Sequence, residues 1–332
     1  MRIATYNVEW FNYLFHDDGS LVNDDSWSAR WDVTKAMQTA ALGAVFQSMD
    51  ADAVMIIEAP DTSPRRSTVK ALETFAEHAG LRTTKALTGF NNDTQQEIAL
   101  LYDPPTLQAR HDPQDGPNAP SFDQTFQRDL NVDAAPDAIR WSKPPLEVAL
   151  TTANGAVRLI GVHAKSKAPH GAQNDAEATR ISIENRRKQL AQCIWLRKRV
   201  EQHLAAGDDL IVLGDFNDGP GLDEYEKLFG RSGVEIVLGE GAAHKMFDPH
   251  ARMVLGRRVG ASPSTARFRR KDGPFLQALL DYIMVSPGLL DKGPKWQIWH
   301  PFDHPACYDN KELREALLQA SDHFPVVLDI SL

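Results

Sequence analysis

Several apolar runs in this chain end on a residue that can do chemistry. Asn7 closes Ile3-Ala4-Thr5-Tyr6, and Glu58 follows Val54-Met55-Ile56-Ile57. His163 follows Leu159-Ile160-Gly161-Val162, and Asp215 and Asn217 follow Ile211-Val212-Leu213-Gly214. Asp281 comes directly after Leu279-Leu280, while Asp322-His323 precedes Phe324-Pro325-Val326-Val327. Any one of these alone is an ordinary turn residue or cap. Together they gather hard oxygen donors and groups that exchange protons near neutrality, the ingredients of metal-assisted and acid–base catalysis. Asp215 and Asn217 are two apart, so in extended chain they project to the same side.

Positioning such groups requires buried strands whose ends converge. The apolar patterning predicts strands over 1–10, 52–58, 96–103, 145–151, 156–163, 208–214, 278–285 and 324–331. Helices are expected over 30–49, 66–79 and about 174–206, the last with Leu190, Cys193, Leu196, Val200 and Leu204 at steps of three and four. The Gly/Pro-rich stretch between 103 and 125 reads as a surface excursion. The segment 11–29, with Phe11, Tyr13, Phe15 and Trp27 among Asp17, Asp18, Asp24 and Asp25, has the length of a lid or binding loop. Strand patterns resume beyond every irregular stretch, which predicts one domain over 1–332: sheets covered by helices, with function in loops at strand ends.

Composition bounds the partners. The chain has 332 residues, 42% hydrophobic and 24% charged, with a formal net charge of −9. A protein that grips long nucleic acid usually carries a basic footprint, so nucleic acid is admitted here only through local contacts. The local basic clusters are Arg267, Arg269, Arg270 and Lys271; Arg186, Arg187 and Lys188; and Lys165 with Lys167; such runs are ordinarily solvated faces. Cys193 and Cys307 read as two free thiols. No apolar run is long enough to span a bilayer, and the N-terminus reads as a strand and not as a signal peptide, so a cytoplasmic location is expected. No protein partner can be inferred.

In order, Thr5-Tyr6-Asn7-Val8, Glu58 after its apolar run, His163, Gly214-Asp215-Phe216-Asn217, Leu280-Asp281-Tyr282-Ile283 and Ser321-Asp322-His323-Phe324-Pro325 resemble the motifs of the endonuclease/exonuclease/phosphatase superfamily. The resemblance runs from residue 5 to 325. It implies the DNase I-like four-layer α/β sandwich, with two central mixed β-sheets flanked by helices. It also implies hydrolysis of a phosphate ester by an activated water. Family members include nucleases, sphingomyelinases, inositol-polyphosphate phosphatases and deadenylases. On this resemblance Asn7, Glu58 and Asp322 hold the metal, Mg²⁺ or Mn²⁺, both of which suit oxygen donors. Asp215 orients or deprotonates the water, and Asn217 donates to the phosphate. His323 contacts the scissile phosphate, and Asp281 accepts from its other ring nitrogen. One departure is that Ile57 stands where the family commonly has Gln before the metal-binding Glu.

A histidine at position 163 resembles the branch in which it acts near the leaving group. An acidic partner would hold it protonated, and Glu97, in Gln96-Glu97-Ile98-Ala99, is the expected partner. Lys165 and Lys167 are candidate phosphate clamps, with Arg140 and Lys143 weaker candidates of the same kind. The function expected first is a phosphodiesterase or nuclease. The alternatives are a phosphatase for a small monoester or lipid headgroup and, more distantly, a catalytically inactive binding module. The aspartates of 11–29 weigh against a generic duplex-DNA nuclease. His300, His304 and Cys307 lack a fourth soft ligand and read as a structural loop, as do His244, Asp248 and His250.

Overall fold

The longest apolar runs form the strands on which the rest is built. The computed structural model describes residues 1–128, 137–169, 171–221, 229–256, 262–269 and 273–332. In chain order the strands are β1 Arg2–Asn7, β2 Ala53–Pro60, β3 Lys85–Thr88, β4 Gln96–Tyr102, β5 Gln108–His111, β6 Phe126–Arg128, β7 Asp137–Ile139 and β8 Leu146–Thr152. They continue with β9 Gly155–His163, β10 Leu210–Asp215, β11 Ala266–Phe268, β12 Leu276–Ala278, β13 Asp281–Val285, β14 Lys295–Ile298 and β15 Val326–Asp329. Helices are α1 Lys35–Met49, α2 Thr68–His78, α3 Asp175–Ala206, α4 Gly233–Leu238, α5 Pro249–Leu255, α6 Pro305–Asp309 and α7 Lys311–Ala320.

Among the described residues two mixed sheets carry the architecture, in the orders β14-β15-β1-β2-β4-β3 and β13-β10-β9-β8-β5. Alternate residues of one strand serve opposite cores, which is why these strands read as continuous apolar runs. In β10, Ile211 and Leu213 face the other sheet, while Leu210 and Val212 pack under α3 and α4. In β1, Ile3 joins the inter-sheet core, while Ala4 and Tyr6 join Leu42, Phe46 and Phe75 of α1 and α2. Helix, sheet, sheet, helix is the expected four-layer sandwich. Each fully buried Leu or Ile contributes about 1.5–3 kcal/mol of hydrophobic stabilisation, so the inter-sheet layer fixes how the strand ends meet.

Two pairs are parallel: β1 with β2 and β9 with β10. Asn7, His163 and Asp215 therefore lie at the ends where their chains leave the sheets, and Glu58 sits two residues before the end of β2. The helix expected over 174–206 forms almost as read, capped by Asn174, whose side chain accepts from the Glu177 N–H, and closed by Gly207 at φ 77°. Three expectations are amended. The 103–125 excursion contains β5, which pairs with β8. Phe11 and Phe15 of the 11–29 segment are buried in the core, leaving Tyr13 and Trp27 exposed. Arg186 is no solvated charge but fully buried, 2.5 Å from Asp218 Oδ1. Arg270 and Lys271 lie outside the described residues. Both cysteines are free and buried. Among the described residues no helix is long and apolar enough to cross a membrane.

Candidate active site

Register brings three of the strand-end residues side by side. Asp215 is paired in register with His163 on β9 and with Asp281 on β13. Gly214 makes this possible: it sits at φ 136°, and a Cβ there would fall on the Val162 carbonyl oxygen, so only glycine lets β10 approach β9 so closely. Asp215 is then the junction of the two sheets. Its Oδ2 accepts from Asn7 Nδ2 (3.0 Å) and Asn217 Nδ2 (3.1 Å), and its Oδ1 accepts from the Asn217 N–H (2.7 Å). Burial, then the charge of Asp281, pushes its pKa up to about 7.

His323 Nδ1 lies 2.8 Å from Asp281 Oδ2, and both residues are buried. Burial would lower the imidazole pKa, but Asp281, Asp215 and Asp322 together raise it well above the usual value, so the ring is a cation at neutral pH. The Leu280 and Asp281 N–H groups both donate to Thr265 Oγ1 (3.0 Å each), and the Phe324 N–H donates to the Thr265 carbonyl, so one threonine fixes both partners.

Across the cleft, a register shift between Ile57 and Ala59 turns Glu58 out of β2 at φ 64°. Trp10 (φ 59°) and Asn217 (φ 49°) share this left-handed conformation and line the same cleft. Such residues cost about 1–3 kcal/mol each and collect at functional sites. Glu58 is nearly buried, which raises its pKa; Lys143 and His323 oppose the shift and Asp322 adds to it. Glu9, unmarked by any pattern in the sequence, joins this group. Burial, then Asp322, pushes its carboxyl up to about 7, and it is paired with Arg30. Crowded carboxylates facing one another are the environment a divalent cation relieves. Asn7 Oδ1 is buried without a hydrogen-bond partner, an amide oxygen placed to be a further ligand. The donor set is all oxygen and fits Mg²⁺ or Mn²⁺. Asp215, Asp281 and His323 also cluster at metal-ligand spacing among the described residues, but there Asp281 already pairs with a cationic ring.

The cleft has a volume of about 820 Å³ and is lined by Asn7, Glu58, His163, Asp215, Asn217, Asp322 and His323, with Lys165 and Lys167 at its edge. A larger cavity of about 920 Å³ lies under the 11–29 segment and holds none of the strand-end residues.

Two expected placements need correction. Glu97 does not pair with His163. Successive residues of a strand face opposite ways, and it is Gln96 that lines the cleft, donating through Nε2 to Glu58 Oε2 and accepting from Lys143 Nζ on Oε1. Glu97 takes a hydrogen bond from Asn92 Nδ2 (2.6 Å), and burial pushes its pKa up to about 7. His163 instead meets Lys143 Nζ at Nδ1 (3.3 Å), with Nε2 3.7 Å from both Glu58 and Asp215. Burial, with Lys143, His323 and Lys165 nearby, lowers its pKa well below the usual value, so the ring is neutral and not the expected cation. Arg140 lies outside the cleft: it is exposed, donates to Thr125 Oγ1 (2.9 Å) and lines an adjoining pocket.

Lys167 reaches the cleft but is tied to Asp218 (2.8 Å), which also holds Arg186 and accepts from the Gly233 N–H (2.6 Å). Asp218 thereby anchors the loop after β10 to α3 and α4. Arg267 and Arg269 stack over Phe275 and Trp31, at 3.4 Å and 3.7 Å from the ring centroids. Asp248 caps α5, accepting from the Ala251 N–H (2.8 Å), and also accepts from the Ile283 N–H (3.1 Å). His300 pairs with Asp303 (3.0 Å), and no metal cluster forms with His304 and Cys307 among the described residues.

Residues 4–323 match the model of the Endonuclease/Exonuclease/phosphatase family. No curated protein matches the chain. Solved structures share its fold at low identity. The 3′ phosphatase NExo from Neisseria bound to product DNA hairpin is 15% identical, TM-score 0.52, with 100% of both chains covered. Truncated TDP2 from Caenorhabditis elegans is 12% identical, TM-score 0.51, covering 98% of this chain and 96% of that one. An AP endonuclease from Archaeoglobus fulgidus is 12% identical, TM-score 0.50, with 100% of both covered.

Proposed function

The chain belongs to the Endonuclease/Exonuclease/phosphatase family, and from that premise we propose that it is a divalent-metal-dependent phosphoesterase that cleaves a P–O bond with an activated water, residues 1–332 acting as one domain. The observation that carries this reading is the junction at Asp215: a buried carboxylate held by the Asn7 amide of the other sheet and the Asn217 amide of the loop that follows β10, beside a cationic His323 and an unpartnered Asn7 oxygen.

Glu58, Asn7 and Asp322 would hold Mg²⁺ or Mn²⁺, with Glu9 nearby. The ion supplies charge neutralisation at the phosphoryl oxygens and a more acidic bound water. Asp215, its pKa pushed up to about 7, is suited to align the attacking water and take its proton. Asn217 Nδ2 donates to Asp215 Oδ2 and to the Ala164 carbonyl (3.1 Å each), so its amide holds that carboxylate in place, and donating to the phosphate requires giving up one of these bonds. His323 gives its Nδ1 proton to Asp281 as a hydrogen bond, which leaves the Nε2 proton for a phosphoryl oxygen. The Lys143 ammonium at His163 Nδ1 favours the tautomer with hydrogen on Nε2, so His163 enters as a neutral donor and Lys143 as the local positive charge. A diester preference gains nothing from His163, whose expected acidic partner is turned away.

The test is a substrate panel on metal-stripped protein: single-stranded and duplex DNA, RNA, bis-p-nitrophenyl phosphate, p-nitrophenyl phosphate and lipid headgroups. At least one ester should be hydrolysed when Mg²⁺ or Mn²⁺ is restored and none in EDTA. Full activity without metal would overturn the reading.

A further inference from the structure

A second cavity, of about 650 Å³, opens beside the cleft, and Ser142, Lys165 and Gln192 line both. Its other walls carry Arg140, Arg187 and Lys188. In a chain of net charge −9, four cations around one concavity are a local reversal of sign. Lys165, Arg187 and Lys188 have no carboxylate within ion-pair distance among the described residues, and Arg140 bonds only a hydroxyl. Of the two acids on the wall, Asp137 and Glu184, the latter is held by Arg180 at 2.9 Å. Unneutralised like charges facing one hollow repel each other, and an anion settling there removes the repulsion.

The walls are also built rigidly. Arg186 points into the core while Arg187 and Lys188 next to it face out, so the buried Arg186–Asp218 pair sets the angle of α3 under this pocket. Gln192 Oε1 accepts from the Lys165 N–H (2.9 Å) and its Nε2 donates to the Arg140 carbonyl (3.2 Å), binding three wall segments together. Gln189, one turn earlier, donates to the Lys165, Phe216 and Asn217 carbonyls, so the same helix face positions the catalytic loop. A solvated charge run on a helix needs none of these ties.

We propose that this basic pocket is a subsite for a second phosphate group of the substrate, next to the one being cleaved. The site therefore favours a phosphodiester strand or a bisphosphorylated small molecule over an ester with a single phosphate. This rests on the phosphoesterase reading for its consequence in catalysis, but the subsite itself is testable without turnover.

The experiment compares wild type with the Arg187→Ala/Lys188→Ala double variant, both side chains being exposed. Bis-p-nitrophenyl phosphate has one phosphate and cannot reach the subsite, so its kcat/KM should be unchanged. For a short single-stranded oligothymidylate, KM should rise roughly tenfold, the weight of a lost charge-assisted contact. The slope of log affinity against log salt should become shallower by about 0.7 per cation removed. Equal effects on both substrates, or none on the oligonucleotide, overturn the proposal. A second arm measures fluorescence anisotropy of the labelled oligothymidylate on metal-free protein carrying Asp215→Asn. Weaker binding by the double variant upholds the subsite even if no ester is ever hydrolysed, whereas hydrolysis of the small diester with unchanged oligonucleotide binding refutes the subsite alone. Thymidine 3′,5′-bisphosphate as competitor separates the two sources: displacement that depends on Arg187 and Lys188 identifies a small bisphosphate, and its failure alongside oligonucleotide binding identifies a strand.

Discussion

Gln96 and Glu97 are neighbours on one strand, and exchanging their expected importance gives a sharp test of the site. Gln96 donates to Glu58 and accepts from Lys143, and the segment of Lys143 that carries the charge is mostly buried, which lowers its pKa against the pull of Glu58 and Asp215. Gln96→Leu removes both bonds at near-constant volume. A hydrogen bond to a charged group contributes about 1.5–3 kcal/mol, a factor of roughly 10 to 150 in an equilibrium constant. Groups that orient a metal-binding carboxylate weigh about 10–100-fold in metal affinity, the same range reached from the other side. The Mg²⁺ concentration for half-maximal hydrolysis of bis-p-nitrophenyl phosphate should therefore rise roughly 10–100-fold in Gln96→Leu. Glu97→Gln keeps an oxygen for Asn92 and changes nothing that faces the cleft, so its Mg²⁺ titration should overlay wild type. If Glu97→Gln loses as much as Gln96→Leu, with melting temperatures unchanged, the strand has been read in the wrong register.

Asp215→Asn and His323→Ala should each lower turnover on the order of 10²-fold or more, with intact melting curves; near-wild-type turnover in either would remove that residue from the chemistry. Because Asp281 raises the His323 pKa, the protonated ring is present at neutral pH and is lost as pH rises through the raised value. Asp281→Asn lowers that value, so the alkaline limb of the kcat/KM profile should move to lower pH; an unmoved limb would mean His323 does not act as a cation. Gly214→Ala combines overpacking against Val162 with a backbone conformation L-residues avoid and should cost about 2–5 kcal/mol in urea unfolding; a loss under about 1 kcal/mol would show that β10 can give way.

The strands that carry the site were legible because they are buried on both faces. Val54 to Ile57, Leu159 to Val162 and Ile211 to Leu213 are unbroken apolar runs, and a polar residue at the end of such a run stands out. The edge strands β3, β5 and β14 are short and half exposed, so their residues alternate too weakly to mark them. Glu97 shows where such reading stops. Either of two adjacent polar residues at the start of β4 could face the cleft, and only the register against β2, shifted at Glu58, decides for Gln96. Glu9 was hidden for a similar reason, and Lys143 was read only as a weak phosphate contact: their weight comes from carboxylates brought together across two sheets, which no local spacing encodes. Arg186 looked like part of a surface run because its partner, Asp218, is distant in sequence and near only once α3 has packed.

The most direct test of the central claim is hydrolysis of a phosphodiester in isotope-labelled water, with mass analysis of both products. Attack by an activated water on phosphorus predicts the heavy oxygen in the phosphate product alone, with no labelled product in EDTA and little when Asp215 is replaced by asparagine. Label in the alcohol product, or label in phosphate that persists undiminished without metal, would contradict it.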